Sequence, residues 1–343
     1  MSQSQRKFVE ALAHEKGLII VGPEALTVHR QRCGTGFCFR LASGALLRDA
    51  REIARLKALA VPPAYVDVRY AKDPSAHLQA VGTDAAGRLQ YRYHPKWTEV
   101  REALKTRRLA GLARALPDIE RAVAKALHAD AVDATFAAAA VVHLVSRTAI
   151  RAGGEAYARE HGTRGATTLL KSNVTLATGR VTLQFKAKGG KAVVKEVRDL
   201  RLHAAVRTLM ALPGRRLFQY RDAEGALHPV RAGDVNAYLC GVAGRRLSLK
   251  DFRTLIASAA VLEVLAKTEP ASSERARRSQ LRIAVTAVAE ELANTPTVCR
   301  KSYVHEAVVT AFEQGALARL RKPTRSPIKK AEVLARIVAR HGS

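Results

Sequence analysis

The sequence predicts an α+β protein, with a small β-rich N-terminal domain followed by a larger, mainly α-helical domain. The 343 residues exceed what one hydrophobic core comfortably organises, and the pattern of the chain changes near Trp97. Short alternating runs interrupted by glycine and proline precede Trp97, whereas alanine- and leucine-rich stretches with helical periodicity follow it. The predicted domains are residues 26–104 and 105–343, and residues 1–25 form an extension whose role the sequence leaves open.

The β-rich domain is predicted from short runs in which apolar and polar side chains alternate. This alternation is typical of antiparallel strands that have one face on a core. One amphipathic helix, residues 50–59, interrupts the runs and ends before Pro62, because proline lacks the backbone donor that a helix needs. The strands are predicted at residues 36–41, 65–70, 77–81 and 89–93.

The larger domain is predicted to be helical, with one β-hairpin. The hairpin covers residues 173–185, where alternating side chains flank a turn at Thr178 and Gly179. The basic tract that follows it, residues 186–191, is predicted to be a flexible loop. Asp118 is suited to cap the first helix of this domain. The helices are predicted at residues 118–127, 133–151, 199–212, 249–267, 272–293 and 331–340.

The chain is strongly basic. Its 58 Lys and Arg residues against 30 Asp and Glu residues give a net charge of +28 and a pI near 10.7. Such a field attracts polyanions, and nucleic acid is the first candidate. Charge alone names no partner, so a generally basic protein remains the alternative. No apolar run approaches the roughly 20 residues of a membrane span, and no signal peptide is apparent, so a cytoplasmic protein without membrane contact is expected.

Metal and nucleotide chemistry find no support in the sequence. The four cysteines are scattered without a CxxC pair, no acidic cluster suits a metal pair, and no GxxxxGK[ST] loop is present. We therefore expect no metal and no cofactor. Cleavage of a phosphodiester without metal requires a nucleophile, cations on the non-bridging oxygens and an acid for the leaving oxygen. Arginine, lysine and tyrosine are the residues left to supply these groups.

Five segments resemble, in the same order, the motifs of type IB DNA topoisomerases of the small bacterial and poxvirus-like branch. Each segment alone is a weak signal, but the ordered set is specific and covers the chain from about Leu26 to its end. Residues 87–97 are similar to the N-terminal DNA-clamp motif, 150–157 and 250–254 to the two arginine motifs, 185–191 to the lysine hairpin, and 294–305 to the nucleophile segment.

The resemblance implies the residues of a metal-free active site. Tyr303 would attack the scissile phosphorus, form a 3′-phosphotyrosyl link and release a 5′-hydroxyl. Arg151 and Arg253 would bind the non-bridging oxygens, and Lys188 would protonate the leaving 5′-oxygen. Asn294, where many relatives have histidine, would donate a hydrogen bond to the phosphate. The implied fold is that of the type IB topoisomerases and tyrosine recombinases, with a β-hairpin that carries the catalytic lysine.

Structural roles compete with several of these assignments. Arg151 could complement the dipole at the end of a helix, and Asn294 could cap one. Lys186 and Lys191 lie close enough in sequence to compete with Lys188 for the role of proton donor.

The resemblance also implies DNA contacts outside the reacting centre. On the predicted strand at residues 89–93, Tyr91 and Tyr93 can pack on sugars and bases. They share one face of that strand, so a plain hydrophobic sheet face is the alternative. The implied DNA-contacting residues are Arg88, Gln90, Tyr91, Tyr93, Tyr157, Lys186, Lys191, Lys250 and His305.

The implied function is the relaxation of DNA supercoils of either sign. A monomer would close around duplex DNA as a C-shaped clamp, cut one strand, let the DNA swivel and reseal it, without ATP or metal, in association with the nucleoid. A tyrosine recombinase uses the same chemistry, but such enzymes usually carry histidine where this chain has Lys250. A basic DNA-binding protein without catalytic activity is the remaining alternative.

Overall fold

The computed structural model describes residues 3–317 and 327–341 of the chain. The chain divides into two units, Met1–Leu104 and Lys105–Ser343. The first unit is built on an antiparallel sheet, and the second is mainly helical with two small sheets. The mixed helix-and-sheet class predicted from the sequence is therefore confirmed. Within the described residues, no helix is both long enough and apolar enough to cross a membrane.

A five-stranded sheet forms the body of the first unit. Its strands are β1 Val28–Cys33, β2 Gly36–Arg40, β3 Val66–Tyr70, β4 Leu78–Thr83 and β5 Leu89–Tyr93. Their order is β2-β1-β3-β4-β5, and every neighbouring pair is antiparallel. The four predicted strands are present. The strand β1 escapes prediction because only Val28 is buried in it, so no apolar row marks it, and pairing with β2 and β3 forms it.

One helix covers the apolar face of this sheet. This helix, α2 (Ala50–Ala58), begins at Asp49, whose side chain accepts hydrogen bonds from two backbone N–H groups of the first turn. Its Leu56 is fully buried and packs in one cluster with Phe39 of β2 and Val68 and Tyr70 of β3. Burial of one leucine in this way contributes about 2 kcal/mol to the free energy of unfolding.

The segment before the sheet also belongs to the first unit. Its helix α1 (Gln3–Glu15) is followed by Leu18, which is buried together with Ala13 against Val100. Lys16 forms an ion pair with Glu99 at 2.8 Å. The described part of residues 1–25 is therefore an integral, packed part of this unit.

A single long helix, α3 (Trp97–Leu127), enters the second unit and contains Pro117 in its interior. The prediction of a helix that begins at Asp118 is therefore wrong. An internal proline costs a helix about 3 kcal/mol, but Leu116 and Ile119 on either side of it are buried in the main core. Tertiary packing of this face outweighs the local cost.

The core of the second unit is organised around helix α4 (Ala134–Thr148). Every residue of α4 from Phe136 to Val145 is buried, as is typical of a central helix. The other helices are α5 Glu155–His161, α6 Leu200–Ala211, α7 Ala232–Ala243, α8 Leu249–Leu265, α9 Glu274–Glu291, α10 Pro296–Ser302, α11 Glu306–Glu313 and α12 Pro327–His341. Helix α4 packs against α6, α7 and α8, and these contacts place the functional residues around its C-terminal end.

Helix α4 ends earlier than predicted. It stops at Thr148, because Ala149 adopts a left-handed conformation with φ of 53° and donates its N–H to the carbonyl of Val145. Arg151 therefore lies in the loop after the helix. Arg151 follows the C-terminal end of α4 by three residues, so a role in complementing the helix dipole stays an alternative.

A three-stranded antiparallel sheet, rather than a lone hairpin, lies in the second unit. It consists of β6 Val174–Ala177, β7 Arg180–Lys186 and β8 Ala192–Arg198 in that order, with the predicted turn at Thr178 and Gly179. The basic tract between β7 and β8 forms a short turn, closed by a hydrogen bond of 2.7 Å from the N–H of Ala187 to the carbonyl of Lys191. Gly189 and Gly190 both have positive φ there, which favours glycine. A small ribbon of β9 (Gln219–Arg221) and β10 (Leu227–Pro229) completes the strands of the described residues.

Candidate active site

Tyr303 lies at the C-terminal end of α10, where the sequence fixes its backbone. Thr295 caps the helix by accepting a hydrogen bond from the third N–H, and Pro296 occupies the first helical position. The N–H of Tyr303 donates to the carbonyl of Cys299 at 2.9 Å, and the hydroxyl of Ser258 on α8 donates to the carbonyl of Tyr303 at 2.9 Å. The side chain of Tyr303 is 8% exposed. The phenol is therefore held in one place with a small opening to solvent.

Arg253 packs directly against Tyr303. The Cζ atom of its guanidinium lies 4.8 Å from the centroid of the phenol ring. Arg253 is 3% exposed, and two backbone carbonyls hold it: Nη1 donates to Ala149, and Nη2 donates to Leu292 at 3.2 Å. Its Nε is buried without a hydrogen-bond partner among the described residues. A buried arginine with an unused donor is available to an incoming anion.

The cations around Tyr303 change its acidity. Burial alone would raise the pKa of the phenol, because burial disfavours the charged form. The positive charges of Arg253, Arg151 and Lys250 outweigh burial, and the net pKa of Tyr303 is lowered from its ordinary value. Arg253 in turn has a lowered pKa, first because of its own burial. The site therefore makes the phenolate, which is the nucleophilic form, easier to reach than in an ordinary tyrosine.

Arg151 and Asn294 form the second contact of the site. Nη2 of Arg151 donates to Oδ1 of Asn294, whose side chain is almost completely buried. The Nδ2 atom of Asn294 has no partner within the described chain and can donate to an oxygen. Thr295, and not Asn294, provides the side-chain cap of α10. Lys191 donates from Nζ to the backbone carbonyl of Asn294 at 2.8 Å, which connects the β7–β8 turn to this segment.

Lys188 lies at the tip of the β7–β8 turn, where it is exposed. Its Nζ is 5.3 Å from the ring centroid of Tyr157, a cation–π distance. The structure therefore brings Lys188 to Tyr157, while Tyr303, Arg253, Arg151 and Asn294 are grouped by the contacts described above.

The remaining predicted DNA-contacting residues of the second unit, His305 excepted, have exposed side chains. Tyr157 is 42% exposed, and Lys186, Lys191 and Lys250 are also exposed. In the protein without DNA, the ammonium of Lys191 donates a hydrogen bond to the carbonyl of Asn294.

The expectation that His305 contacts DNA is wrong for this structure. His305 is 1% exposed and caps α11, with Nδ1 accepting a hydrogen bond of 3.1 Å from the N–H of Ala307. Its Nε2 lies 2.8 Å from the hydroxyl of Thr106 on α3. Burial lowers the pKa of His305 to about 4, with a smaller contribution from the charge of Lys105. The ring is a neutral structural group at physiological pH.

In the first unit, the predicted DNA-contacting residues lie on β5 and the turn before it. Tyr91 and Tyr93 are each 42% exposed and stack with ring centroids 6.2 Å apart. They form an exposed aromatic face and not a buried one. Gln90 and Arg88 both bind Asp84, at 2.8 and 3.0 Å, and hydrogen bonds of this turn, first the backbone bond from Arg88, lower the pKa of Asp84 to about 2.

Two cations near the site escape sequence reasoning. Arg164 and Lys195 line a small pocket together with Arg151 and Arg253. A prediction of β8 as a strand would have identified Lys195, because Lys195 follows Val193 by two residues and so lies on the same face of the strand. Over the described ranges, no group of three or more His, Cys, Asp or Glu side chains could hold a metal ion.

Comparisons with known proteins agree over both units. Residues 94–326 match the family described as eukaryotic DNA topoisomerase I, catalytic core. Residues 36–84 match the family described as bacterial DNA topoisomerase IB, N-terminal domain. The chain is 29% identical over 284 residues to the DNA topoisomerase 1B of Acanthamoeba polyphaga mimivirus, and this alignment covers 81% of the chain and 84% of the viral protein.

Proposed function

Because the chain belongs to the type IB DNA topoisomerases, we propose that Tyr303 is the nucleophile with which it cuts one strand of duplex DNA. The contact between Tyr303 and Arg253 carries this assignment. A guanidinium 4.8 Å from the ring centroid and a lowered phenol pKa both favour attack by this tyrosine on phosphorus.

The reaction exchanges one ester for another. The phenol gives its proton to solvent water, its oxygen attacks the scissile phosphorus, and the bond from phosphorus to the 5′-oxygen breaks as that oxygen takes up a proton. The products are a 3′-phosphotyrosyl ester and a free 5′-hydroxyl. After the DNA has swivelled about the uncut strand, the 5′-hydroxyl attacks the same phosphorus and releases Tyr303. The energy of the broken bond is kept in the phosphotyrosine, so the cycle needs no ATP and relaxes supercoils of either sign.

Arg151, Arg253 and Asn294 stabilise the charge that develops on the phosphate. Nε of Arg253 and Nδ2 of Asn294 are donors that have no hydrogen-bond partner among the residues that the structure describes. An incoming non-bridging oxygen would satisfy such donors, and fixed donors of this kind lower the barrier because they do not reorganise during the reaction. Arg151 adds a charged guanidinium that is already oriented by Asn294.

Lys188 is assigned as the proton donor to the leaving 5′-oxygen. Its place at the tip of a two-glycine turn supports this role, because glycines allow the backbone adjustments that carry a side chain from Tyr157 to the substrate. Lys186 and Lys250, both exposed, and Lys191 are assigned to DNA phosphates. Arg88, Gln90, Tyr91 and Tyr93 are assigned to DNA contacts of the first unit.

The net charge of +28 supports binding to duplex DNA largely through phosphates, with an affinity that falls steeply with salt. We assign to the protein a monomeric state, independence from nucleotide and association with the nucleoid.

A plasmid assay tests the proposal. Supercoiled plasmid is incubated with wild-type protein or Tyr303→Phe in EDTA without ATP, and covalent protein–DNA adducts are trapped with denaturant. We expect relaxation and a 3′-linked adduct with the wild type, and neither with Tyr303→Phe. Relaxation by Tyr303→Phe would show that another residue is the nucleophile. Recombination of paired substrates without relaxation of single plasmids would indicate a recombinase.

A further inference from the structure

Lys195 occupies a position that a strand in a packed sheet normally gives to an apolar residue. Its neighbours on the same face of β8, Val193 and Val197, are 7% and 9% exposed. Across the sheet, Lys195 pairs with Leu183 of β7, which is fully buried. Cross-strand partners point to the same face of a sheet. The stem of Lys195 therefore lies on the core side of the sheet, in a row of apolar side chains.

Lys195 lines the pocket that Arg151 and Arg253 also line. Four cationic side chains, Arg151, Arg164, Lys195 and Arg253, face this pocket together with one carboxylate, Glu291. The contact between Nζ of Lys195 and Glu291 is long, 3.8 Å, and the Glu291 side chain is 65% exposed. A distant, hydrated carboxylate compensates a half-buried ammonium poorly. The pocket therefore keeps a surplus of positive charge.

The partial burial of the Lys195 ammonium is unfavourable, and the pKa of Lys195 reflects this. Burial is the largest effect and lowers the pKa of Lys195, Glu291 raises it, and Arg253 lowers it again. Replacing such a lysine with an apolar residue of similar length would remove this cost. An anion bound next to Lys195 would compensate the charge that is unfavourable in the free protein.

The two arginines also leave room for another donor. Arg253 directs its Nη1 and Nη2 to the carbonyls of Ala149 and Leu292, and Arg151 directs its Nη2 to Asn294. Part of their hydrogen-bonding capacity is thus used within the protein, so a phosphate in this pocket has oxygens that a third cation can bind.

We propose that Lys195 binds a DNA phosphate in this pocket together with Arg151 and Arg253, as a fixed cation and not as a proton donor. The proposal rests on the proposed function, since it concerns the substrate of the same site. The sheet that carries Lys195 holds it in place, whereas the glycine turn that carries Lys188 suits a group that must move. Lys195 is therefore assigned to the charge of the substrate, and Lys188 to the leaving oxygen.

Single-turnover cleavage tests the role, with Lys195→Met as the variant and Arg198→Met as the matched control. Arg198 lies on the same strand, but its side chain is 80% exposed and faces the opposite side of the sheet. We expect Lys195→Met to cleave about 10- to 100-fold more slowly, the loss typical of one charged hydrogen bond. Its melting temperature should be unchanged or higher, because a buried charge is removed. Arg198→Met, which removes the same formal charge, should cleave at the wild-type rate.

Glu291→Gln separates this role from a structural ion pair. If Lys195 serves only to hold Glu291, Glu291→Gln and Lys195→Met should lower the melting temperature and the cleavage rate alike, and that result would overturn the proposal. If Lys195 binds phosphate, Glu291→Gln keeps the cation and should retain most of the cleavage activity. Cleavage by Lys195→Met within twofold of the wild type would also overturn the proposal.

One further measurement makes the proposal independent of the cleavage step. Binding of uncut duplex is compared between Tyr303→Phe and the double variant Tyr303→Phe/Lys195→Met over a range of salt. The slope of log affinity against log salt should fall in magnitude by about 0.9, which corresponds to one lost phosphate contact. An unchanged slope would contradict the phosphate contact even if Tyr303 proved not to be the nucleophile.

A substrate with sulfur at the bridging 5′-position distinguishes binding from proton transfer. Sulfur leaves without protonation, so it should rescue cleavage by Lys188→Ala and not by Lys195→Met. Rescue of Lys195→Met would assign the proton to Lys195 and overturn its role as a fixed cation.

Discussion

Ser258 and Tyr303 are joined by a hydrogen bond of 2.9 Å from the serine hydroxyl to the tyrosine carbonyl. The same hydroxyl oxygen accepts the N–H of His305 at 3.0 Å. Ser258 lies on α8, the helix that also carries Arg253. One helix therefore holds the backbone of Tyr303 and supplies the guanidinium that packs on its ring.

Replacing Ser258 with alanine should misplace Tyr303 as well as destabilise the protein. Ser258 is fully buried, and its loss leaves a carbonyl and an N–H without partners, so the free energy of unfolding should fall by about 1–3 kcal/mol. Single-turnover cleavage should fall even at temperatures where the variant is fully folded. Urea unfolding combined with rapid-quench cleavage checks both effects. A variant that loses stability but cleaves at the wild-type rate would exclude the positioning role.

Arg253→Lys should lose most cleavage activity although it keeps the charge. A lysine carries all its donors on one nitrogen, so it cannot span the carbonyls of Ala149 and Leu292 as the planar guanidinium does and still direct a donor to the phosphate. We expect cleavage to slow by roughly 100- to 1,000-fold, as for the loss of one preorganised donor. Arg282→Lys, an exposed change on α9, is the control and should leave the rate unchanged. A loss below tenfold in Arg253→Lys would show that charge alone is sufficient.

The rate of cleavage should depend on pH through Tyr303. Because Arg253, Arg151 and Lys250 lower the pKa of the phenol against the effect of burial, the rate should rise with pH and level off below the pKa of an ordinary tyrosine. Lys250→Gln removes one of these charges, so the rising limb should move to higher pH. Single-turnover rates at saturating DNA measure this limb. An identical profile for both proteins would show that Lys250 does not act on the phenol.

Stability should fall between about pH 6.5 and pH 4 because of His305. Its pKa is lowered to about 4 in the folded protein, so the unfolded chain binds a proton that the folded chain does not bind in this window. The free energy of unfolding is therefore highest with neutral imidazole and decreases as the pH falls, by an amount on the order of 3 kcal/mol.

His305→Asn provides the matched comparison, since asparagine also caps helices and does not titrate. The difference in unfolding free energy between wild type and variant should shrink from pH 7 to pH 4.5. A difference that is constant over this range would show that His305 titrates normally in the folded state.

Much of the fold follows from local patterns in the sequence, and the errors occur where distant contacts decide. The alternation in β2 to β5 and the periodicity of α8 and α9 predict those elements. The helix α3 continues through Pro117 because its flanking residues are buried in the main core, which no local rule registers. The strand β8 escapes prediction because Lys195 interrupts its apolar row.

For the candidate site, too, local patterns predict part of the arrangement and distant contacts decide the rest. The order of the motifs singles out Tyr303, Arg253, Arg151 and Asn294, and the structure brings these side chains into two adjoining contacts. His305 lies in the same motif, but its ring is buried and contacts Thr106, which is 199 residues away in the sequence. A motif records which residues recur and not which of them face the substrate.

The way in which Arg253 is held has a consequence for the first encounter with DNA. Its partners are the carbonyls of Ala149 and Leu292, and within the described chain no carboxylate lies at ion-pair distance from it. Peptide dipoles orient the guanidinium without neutralising it. Arg253 therefore has, among the described residues, no carboxylate partner of its own to release before it binds a phosphate. Inorganic phosphate and sulfate should therefore compete with DNA for this site beyond their effect on ionic strength.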